Sequence, residues 1–135
     1  MHYSHVDVIL ESFTKVKNVV IIVTYRRSVL LGLSNANDSR KDKWCFVGGH
    51  IKSNENPFQA AVRETKEESN IEVKCTNDFI IRDNTIYIRA ESKVNPKHIR
   101  HNNEFKAMGF FDKKGIKSLK LAANNKEILN IFNIL

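Results

Sequence analysis

Three glutamates, Glu64, Glu67 and Glu68, are spaced so that a helix would place their carboxylates on one side. Like charges at these separations repel one another, and the second half of a helix also disfavours anions. Arg63 can pair with Glu67 one turn later, but a single cation cannot neutralise three carboxylates. Hard divalent cations such as Mg²⁺ take carboxylate oxygens, and one or two such ions would turn the repulsion into a binding site. The spacing therefore predicts a divalent metal site.

A pair of glycines, Gly48 and Gly49, precedes the glutamates at the end of a short predicted strand. Glycines between a strand and a loop let a backbone carbonyl or a ligand approach closely. Glu55 lies in the loop that follows. Together these residues and the glutamates fit the spacing G-x5-E-x7-R-E-x-x-E-E, which begins at Gly49. The spacing brings a strand end and a helix into one candidate site.

The helix that carries the glutamates has start and stop signals. Asn56 can act as N-cap, and Pro57 suits the first helical position, where a missing N–H costs nothing. The helix is predicted from Pro57 to about Ser69, and Asn70 suits the left-handed residue that closes a helix. Its apolar side, predicted to pack on a sheet, consists of Phe58, Ala61, Val62 and Thr65.

Strands surround this helix in the sequence. Asn18–Thr24 and Ser28–Leu33 are predicted to form a hairpin around the turn Tyr25-Arg26-Arg27, with at least one strand buried on both faces. Polar loops are predicted at Ser34–Lys43 and Glu91–Asn103. A final helix is predicted over Asn125–Ile134, with Ile128, Leu129, Ile131 and Phe132 on its apolar side. The remaining predicted strands are Trp44–Val47, Ile71–Cys75, Phe79–Ile81, Thr85–Ala90 and Phe105–Phe111. This order predicts an α/β or α+β sandwich.

Composition excludes several classes of protein. The 135 residues, of which 41% are hydrophobic and 27% charged, contain no repeat or linker and are expected to form a single domain over 1–135. The longest apolar run, Val19–Val23, is far too short to cross a membrane, and the first residues lack the pattern of a signal peptide. Cys45 and Cys75 are expected to be buried thiols in a reducing compartment, which favours the cytoplasm.

The net charge of +7 is concentrated near the end of the chain. The segment Lys93–Lys120 contains eight basic and two acidic residues, which leaves little net charge elsewhere. Basic side chains beside a metal site would hold the phosphates of a substrate that do not react. We therefore expect this segment to flank the glutamates and to bind a polyphosphate.

The segment GHIKSNENPFQAAVRETKEESNI, from Gly49 to Ile71, resembles the signature box of the Nudix hydrolases. The strands before it, the entry Trp44-Cys-Phe-Val-Gly-Gly and the segment that begins at Glu104 extend the resemblance over the whole domain. The likeness implies a Nudix-like α/β/α sandwich with a central mixed β-sheet. The chain departs from the usual family pattern at Val47, where proline is common, at Thr65, where an aliphatic residue is usual, and at Asn70, where glycine is usual.

The resemblance implies a role for each residue of the box. Glu67 and Glu68 would bind Mg²⁺ or Mn²⁺ together with the carbonyl of Gly48. Glu64 would be a further metal ligand or the general base that activates water. Arg63 would orient the glutamates during catalysis.

Other roles follow from position in the family pattern. Glu104 precedes the last strand, where the family often places an additional metal ligand or base. Glu55 would be a structural or metal-linked carboxylate, and Asn70 a structural residue that closes the helix. The candidate substrate-binding residues are Trp44, Gly49, His50, Lys97 and Arg100.

The implied reaction is metal-dependent hydrolysis of a nucleoside diphosphate linked to another moiety, such as a nucleoside triphosphate, ADP-ribose or a dinucleotide. One alternative is an enzyme that acts on the cap or triphosphate at an RNA 5′ end. Another is a catalytically silent module that binds nucleotides or RNA. The retained triad Glu64, Glu67 and Glu68 favours an enzyme, because a silent module has no need of three repelling carboxylates. A monomer and a homodimer are both compatible with the sequence.

Overall fold

The computed structural model describes residues 15–134. Within them, seven strands form one mixed sheet, and helices cover both of its faces. The strands are β1 (Asn18–Tyr25), β2 (Ser28–Ser34), β3 (Trp44–Cys45), β4 (Val47–His50), β5 (Val73–Arg82), β6 (Thr85–Ser92) and β7 (Phe105–Asp112). The helices are α1 (Pro57–Ser69), α2 (Lys113–Ile116) and α3 (Asn125–Ile131).

Strand β1 lies at the centre of the sheet and changes partner along one edge. Its other edge pairs with β6 in parallel, from Asn18 opposite Thr85 to Thr24 opposite Glu91. On the changing edge, the first half of β1 pairs with β4, and only its last two residues pair with β2. β1 and β2 therefore diverge, and the glycine-bearing strand β4 occupies the gap between them.

The outer strands extend the sheet in both directions. β2 pairs with β7 along its length and with β3 at Gly32 and Leu33. β5 pairs with β6 as one antiparallel strand whose register shifts between Cys75 and Phe79. The predicted strands Ile71–Cys75 and Phe79–Ile81 are thus parts of one strand, whose irregularity coincides with the polar residues between them.

Two apolar clusters fill the space on either side of the sheet. The first contains Val19, Ile21 and Val23 of β1 and packs against α1. The second contains Ile22 and lies under α2 and α3. Since successive side chains of a strand point to opposite faces, β1 is buried on both sides, as predicted. The α/β/α sandwich with a central mixed sheet is confirmed.

Helix α1 has the predicted bounds because both of its ends are fixed locally. The Asn56 side chain accepts a hydrogen bond from the backbone N–H of Gln59, and the Gln59 side chain accepts one from Asn56, both at 2.9 Å. Such a cap contributes about 1 kcal/mol to stability. At the other end, Asn70 adopts the left-handed conformation, with φ of 64°, and its N–H donates to the carbonyl of Lys66. Asn70, which stands where the family usually has glycine, thus closes the helix.

The buried face of α1 differs from the prediction at one position. Ala60, Ala61 and Thr65 are fully buried, whereas Val62 is 39% exposed. Val62 was wrongly assigned to the face that packs on the sheet, since the buried stripe follows Ala61, Thr65 and Glu68 and leaves Val62 beside it. Thr65 satisfies its hydroxyl by donating to the carbonyl of Ala61 at 2.7 Å.

The C-terminal region contains two short helices, α2 and α3, where a single helix was predicted. The short helix α2 was not predicted; it begins where the Asp112 side chain accepts a hydrogen bond from the N–H of Gly115 at 2.7 Å. Helix α3 ends at Ile131 rather than at Ile134. Ile131 is 39% exposed, while the other three predicted apolar positions of this helix are buried.

Two further expectations concern the environment of the chain. Cys45 and Cys75 are free thiols, each half-buried rather than fully buried. Among residues 15–134, no helix is both long enough and apolar enough to span a lipid bilayer.

Candidate active site

Glu68 is the most deeply buried acidic residue of the candidate site. Its side chain is 2% exposed, and its carboxylate accepts a hydrogen bond from the backbone N–H of Gly48 at 3.1 Å. The Glu104 carboxyl lies beside it within hydrogen-bond reach. In the described part of the chain, no lysine or arginine forms an ion pair with Glu68. Burial, together with Glu104, raises the pKa of Glu68 to about 9.

Arg63 binds four groups through its planar guanidinium. Nε and Nη2 donate to the two oxygens of Glu55 at 3.0 and 2.6 Å, and Nη2 also donates to the carbonyl of His50 at 2.9 Å. Nη1 donates to Glu64 at 2.9 Å and to Glu67 at 3.2 Å. The predicted pairing with Glu67 is present, but it is the longest of these contacts. Arg63 therefore ties the loop before α1 to two of its glutamates.

The pKa shifts around Arg63 follow from these contacts. The hydrogen bonds from Arg63 hold the pKa of Glu55 at about 2, so Glu55 is ionised at neutral pH. The pKa of Glu64 is raised because burial outweighs the stabilising effect of Arg63. The side chain of Glu64 is 14% exposed and that of Glu67 53% exposed. Glu67 is thus the most accessible of the three helix glutamates.

Close approach explains the need for both glycines. A side chain at Gly49 would overlap the carboxyl group of Glu64, and one at Gly48 would press against the backbone carbonyl of Val19 in β1. Gly49 therefore leaves room for a flexible side chain, whereas Gly48 leaves room for the backbone itself. Alanine at Gly49 and alanine at Gly48 should therefore have different effects on the protein.

We expect Gly49→Ala to lower activity while the protein remains folded, because the Glu64 carboxyl can move away from the added methyl. Gly48→Ala should instead destabilise the fold, since the Val19 carbonyl belongs to a buried strand and cannot move freely. Thermal unfolding of both variants beside a hydrolysis assay separates the two effects. Equal losses of stability would contradict this distinction.

The carboxylates are suited in chemistry to a hard divalent cation, but they are not arranged around one. Among residues 15–134, no three acidic, histidine or cysteine side chains converge on a common point as a finished metal centre. Glu64 and Glu67 face Arg63, and Glu68 faces Gly48 and Glu104. Because Arg63 engages the carboxyl groups of Glu64 and Glu67, a cation bound at Glu68 would compete with the guanidinium for them. The oxygen donor set fits Mg²⁺ or Mn²⁺.

The structure brings some of the predicted substrate-binding residues to this site and places others apart from it. Gly49 touches Glu64, and His50, which is exposed, contributes its carbonyl to Arg63. Trp44 stacks edge-on against Phe111, with ring centroids 4.9 Å apart, and packs in the second cluster under α2 and α3. Trp44 therefore lies among core residues on the other face of the sheet from α1.

The basic segment does not form one flank. Lys97 and Arg100 are exposed, and the N–H of Arg100 donates to the carbonyl of Ser69 at the end of α1. Lys106 forms an ion pair with Asp42. Lys113 lines a cleft formed with the β1–β2 turn, away from the glutamates. The expectation of a continuous phosphate-holding flank over Lys93–Lys120 was wrong, because β7 carries the chain from one end of the sheet to the other.

Arg40, in the loop between β2 and β3, was not predicted as a residue of the site. Arg40 is held by Asp38, with Nη2 and Oδ2 2.8 Å apart. The pKa of Arg40 is raised mainly by this hydrogen bond, with a smaller contribution from the charge of Glu104. The loop thus brings a cation near the carboxylates. The Asp-x-Arg spacing, typical of a side-chain-capped turn, was the available signal.

The family is decided by comparison with known proteins. A family model described as the NUDIX domain matches residues 14–130, which is most of the chain. The chain belongs to the Nudix hydrolase family. No curated protein sequence matches it significantly.

Solved structures share the Nudix fold at low sequence identity. A NUDIX hydrolase from Nitrosomonas europaea has a TM-score of 0.65 and 22% identity, and the match covers 90% of this chain and 65% of that one. A Caenorhabditis elegans Ap4A hydrolase has a TM-score of 0.67 and 22% identity, covering 87% and 95%. A bifunctional NMN adenylyltransferase/ADP-ribose pyrophosphatase from Francisella tularensis, complexed with AMP and a Mn ion, has a TM-score of 0.65 and 22% identity, covering 86% and 40%. The present chain thus spans about two thirds of the first protein and two fifths of the last.

The raised pKa of Glu68 makes the stability of the metal-free Nudix domain depend on pH. The folded state keeps the proton of Glu68 up to about pH 9, whereas an unfolded chain releases it near 4.5. Between these values the folded state binds more protons, so the free energy of unfolding should fall as pH rises. Melting temperatures from pH 5.5 to 8.5 in EDTA should therefore decline more steeply for the wild type than for Glu68→Gln. Parallel curves would contradict the assignment.

Proposed function

We propose that this Nudix protein uses Mg²⁺ or Mn²⁺ to hydrolyse the diphosphate linkage of a nucleoside diphosphate joined to another moiety. The observation that carries the proposal is the buried carboxyl of Glu68, which has Glu104 beside it and no cationic partner among the described residues. A buried carboxylate without a counter-ion is costly unless a cation joins it. A divalent ion supplies that charge.

The ligands in this proposal are Glu67, Glu68 and the carbonyl of Gly48. In antiparallel strands, a residue that is not hydrogen-bonded to its partner directs both its N–H and its C=O away from that partner. The N–H of Gly48 points to Glu68 rather than to β1, so its carbonyl faces the same side. The geometry of β4 therefore supports the carbonyl as a ligand. When bound, the ion polarises the phosphate oxygens and lowers the pKa of water.

Two carboxylates are candidates for the base that takes a proton from the attacking water. Glu64 is mostly buried and hydrogen-bonded to Arg63, which orients it. Glu104 is exposed, directly before β7 and next to Glu68. Either position is adjacent to the proposed ligands. Comparing the pH–rate profiles of Glu64→Gln and Glu104→Gln would distinguish them, because only loss of the base removes the acidic limb.

A nucleotide substrate is supported by what the similar proteins act on. Two of the proteins that share this fold are an Ap4A hydrolase and a bifunctional NMN adenylyltransferase/ADP-ribose pyrophosphatase. In the present chain, the charge of Arg40 interacts with that of Glu104, and the backbone N–H of Arg100 donates to the carbonyl of Ser69 at the end of α1. Arginine side chains suit phosphates that are bound but not cleaved. The attached moiety is the part of the substrate that these loops would select.

An RNA 5′ end is the second candidate substrate. Lys93, Lys97 and Arg100 are exposed on a loop that is fixed to the end of α1 through backbone hydrogen bonds to Ser69 and Glu72. Positive charge on a loop held at this end of α1 supports the candidate, because an RNA strand could continue along it from a bound triphosphate. A silent binding module is less well supported, since it gives no reason for Glu68 to be buried without a cation.

The proposal is tested by a hydrolysis screen of the purified protein with Mg²⁺, with Mn²⁺ and with EDTA. The substrates are nucleoside triphosphates, ADP-ribose, NADH, dinucleoside polyphosphates and RNA with a 5′ cap or triphosphate. We expect phosphate-containing product only with a divalent ion. Binding of nucleotides without any turnover across the screen would instead favour the silent module.

The remaining parts of the proposal concern the protein as a whole. We propose a cytoplasmic protein with one domain over residues 1–135, acting as a monomer or homodimer. The free thiols Cys45 and Cys75 are consistent with a reducing compartment. Burial raises the pKa of Cys45 to about 11, so this thiol stays protonated and unreactive beside the carboxylates.

A further inference from the structure

A second cleft, of about 740 Å³, lies at the opposite end of β1 from the glycine pair. It is bounded by the β1–β2 turn, the end of β6 and the residues that follow α3. Val20 lies opposite Gly48, and the chain runs six residues further to Arg26, a distance of roughly 20 Å in an extended strand. This distal cleft is therefore separate from the carboxylate site, and its volume is in the usual range for small-molecule sites.

The side chains that line the distal cleft carry more positive than negative charge. The two acidic residues that line the cleft, Asp78 and Glu91, both form ion pairs with Arg89. Nε lies 3.4 Å from Asp78 and Nη1 lies 3.3 Å from Glu91. Arg26, Arg27 and Lys113 are left without an ion pair among residues 15–134. All three side chains are exposed, and they come from two separate segments of the chain. Among the described residues, no acidic side chain pairs with these three cations, and the Arg26 guanidinium also lies over the Tyr25 ring, 5.4 Å from its centroid.

The backbone at Arg26 is a second and independent observation. Six non-glycine residues of the described chain have a positive φ; five are aspartate or asparagine, and the sixth is Arg26, with φ of 54°. In the β5–β6 turn, by comparison, the residue with positive φ is an aspartate, Asp83. Asn and Asp tolerate this conformation, whereas a long side chain such as arginine adopts it at a cost. Strain of this kind, held in place by the hairpin, is typical of functional positions.

We propose that the distal cleft binds the phosphate groups of a small polyphosphate anion, such as the di- or triphosphate of a nucleotide. The guanidinium groups of Arg26 and Arg27 can each present paired N–H donors to phosphate oxygens, and Lys113 adds a point charge from the other wall. Arg89 remains occupied by Asp78 and Glu91, which border the cleft with negative charge. That border favours a compact anion over a nucleic-acid strand running across the surface.

The test uses a variant that removes the charges and relieves the strain together. Arg26→Gly/Arg27→Ser supplies glycine at the positive-φ position and a short polar residue after it, a pair that suits a two-residue hairpin. Inorganic tripolyphosphate is titrated by calorimetry in EDTA at a fixed ionic strength of about 0.15 M, where exposed charges are largely screened. We expect saturable binding to the wild type and a loss of about tenfold or more in the variant, whose melting temperature does not fall.

The control is Lys117→Ala/Lys126→Ala, which removes the same charge from two exposed positions outside the cleft, one directly after α2 and one in α3. It should bind tripolyphosphate like the wild type. In NMR spectra, tripolyphosphate should shift the amides of Ser28 and Ser92 and leave those of Gly48 and Gly49 unchanged. Equal affinity of the two double variants, shifts confined to the glycines, or no saturable binding would overturn the proposal. Binding of an RNA octamer in place of tripolyphosphate would also overturn it.

Discussion

Replacing Glu68 by glutamine should lower the rate of metal-dependent hydrolysis at least about 100-fold while leaving the fold intact. The rate falls because a carboxylate ligand is lost, and the transition-state stabilisation that a bound ion provides amounts to several kcal/mol. The fold survives because glutamine resembles the protonated form that Glu68 keeps up to about pH 9. Its amide can accept from the Gly48 N–H and donate to Glu104, as the protonated carboxyl does. Rates with saturating Mg²⁺ and melting temperatures in EDTA give both quantities.

The matched control is Glu72→Gln, which makes the same substitution just beyond the end of α1. Glu72 is 65% exposed and lies 3.6 Å from Lys66, a surface pair of little energetic weight. Its rate should equal that of the wild type. If Glu68→Gln hydrolysed substrate at the wild-type rate, Glu68 would have no role in the mechanism, whatever the result for the control.

Replacing Arg63 by alanine should reduce turnover about 100-fold and, at the same time, tighten the binding of a divalent ion. Arg63 holds Glu55, Glu64, Glu67 and the carbonyl of His50 in one arrangement. Without it the carboxylates lose their orientation, and a misplacement of about 1 Å can cost 10²-fold in rate. The ion nevertheless gains, because it no longer competes with the guanidinium for Glu64 and Glu67. Mn²⁺ titrations and steady-state rates would show the two opposite changes.

Arg63→Lys distinguishes charge from geometry. Lysine keeps the positive charge, but it cannot match the two oxygens of Glu55 and the His50 carbonyl as a fork does. We expect most of the loss in rate to persist in this variant. Arg82→Ala, which breaks an exposed ion pair with Glu127, is the control and should change neither rate nor metal affinity. Wild-type turnover by Arg63→Lys would show that charge alone suffices.

Local signals account for the parts of the structure that were predicted correctly. The bounds of α1 were predicted because Asn56, Pro57 and Asn70 act on their immediate neighbours. The first hairpin and the doubly buried β1 followed from short aliphatic runs. Such features depend on a few adjacent residues, so they can be read from the chain itself.

Features that depend on distant contacts were not predicted. The principal partner of Arg63 is Glu55, eight residues earlier in a loop, a separation that no helical periodicity indicates. The change of partner along β1 requires β4 to fold between two strands that precede it. The position of Glu104 beside Glu68 was indicated only by the family resemblance. Each of these contacts joins residues that are not neighbours in the sequence, so no local pattern indicates it.

The hydrogen bond of Gly48 has a consequence for how the site can be observed. Its amide proton is held by a carboxylate rather than by a neighbouring strand, although it lies within the sheet. Loss of the Glu68 proton above about pH 9, or binding of its oxygens to an ion, changes the strength of this bond, while the remaining amides of β1 and β4 stay as they are. The hydrogen-exchange rate of the Gly48 amide should therefore report whether the site is occupied, and it can be measured without a substrate.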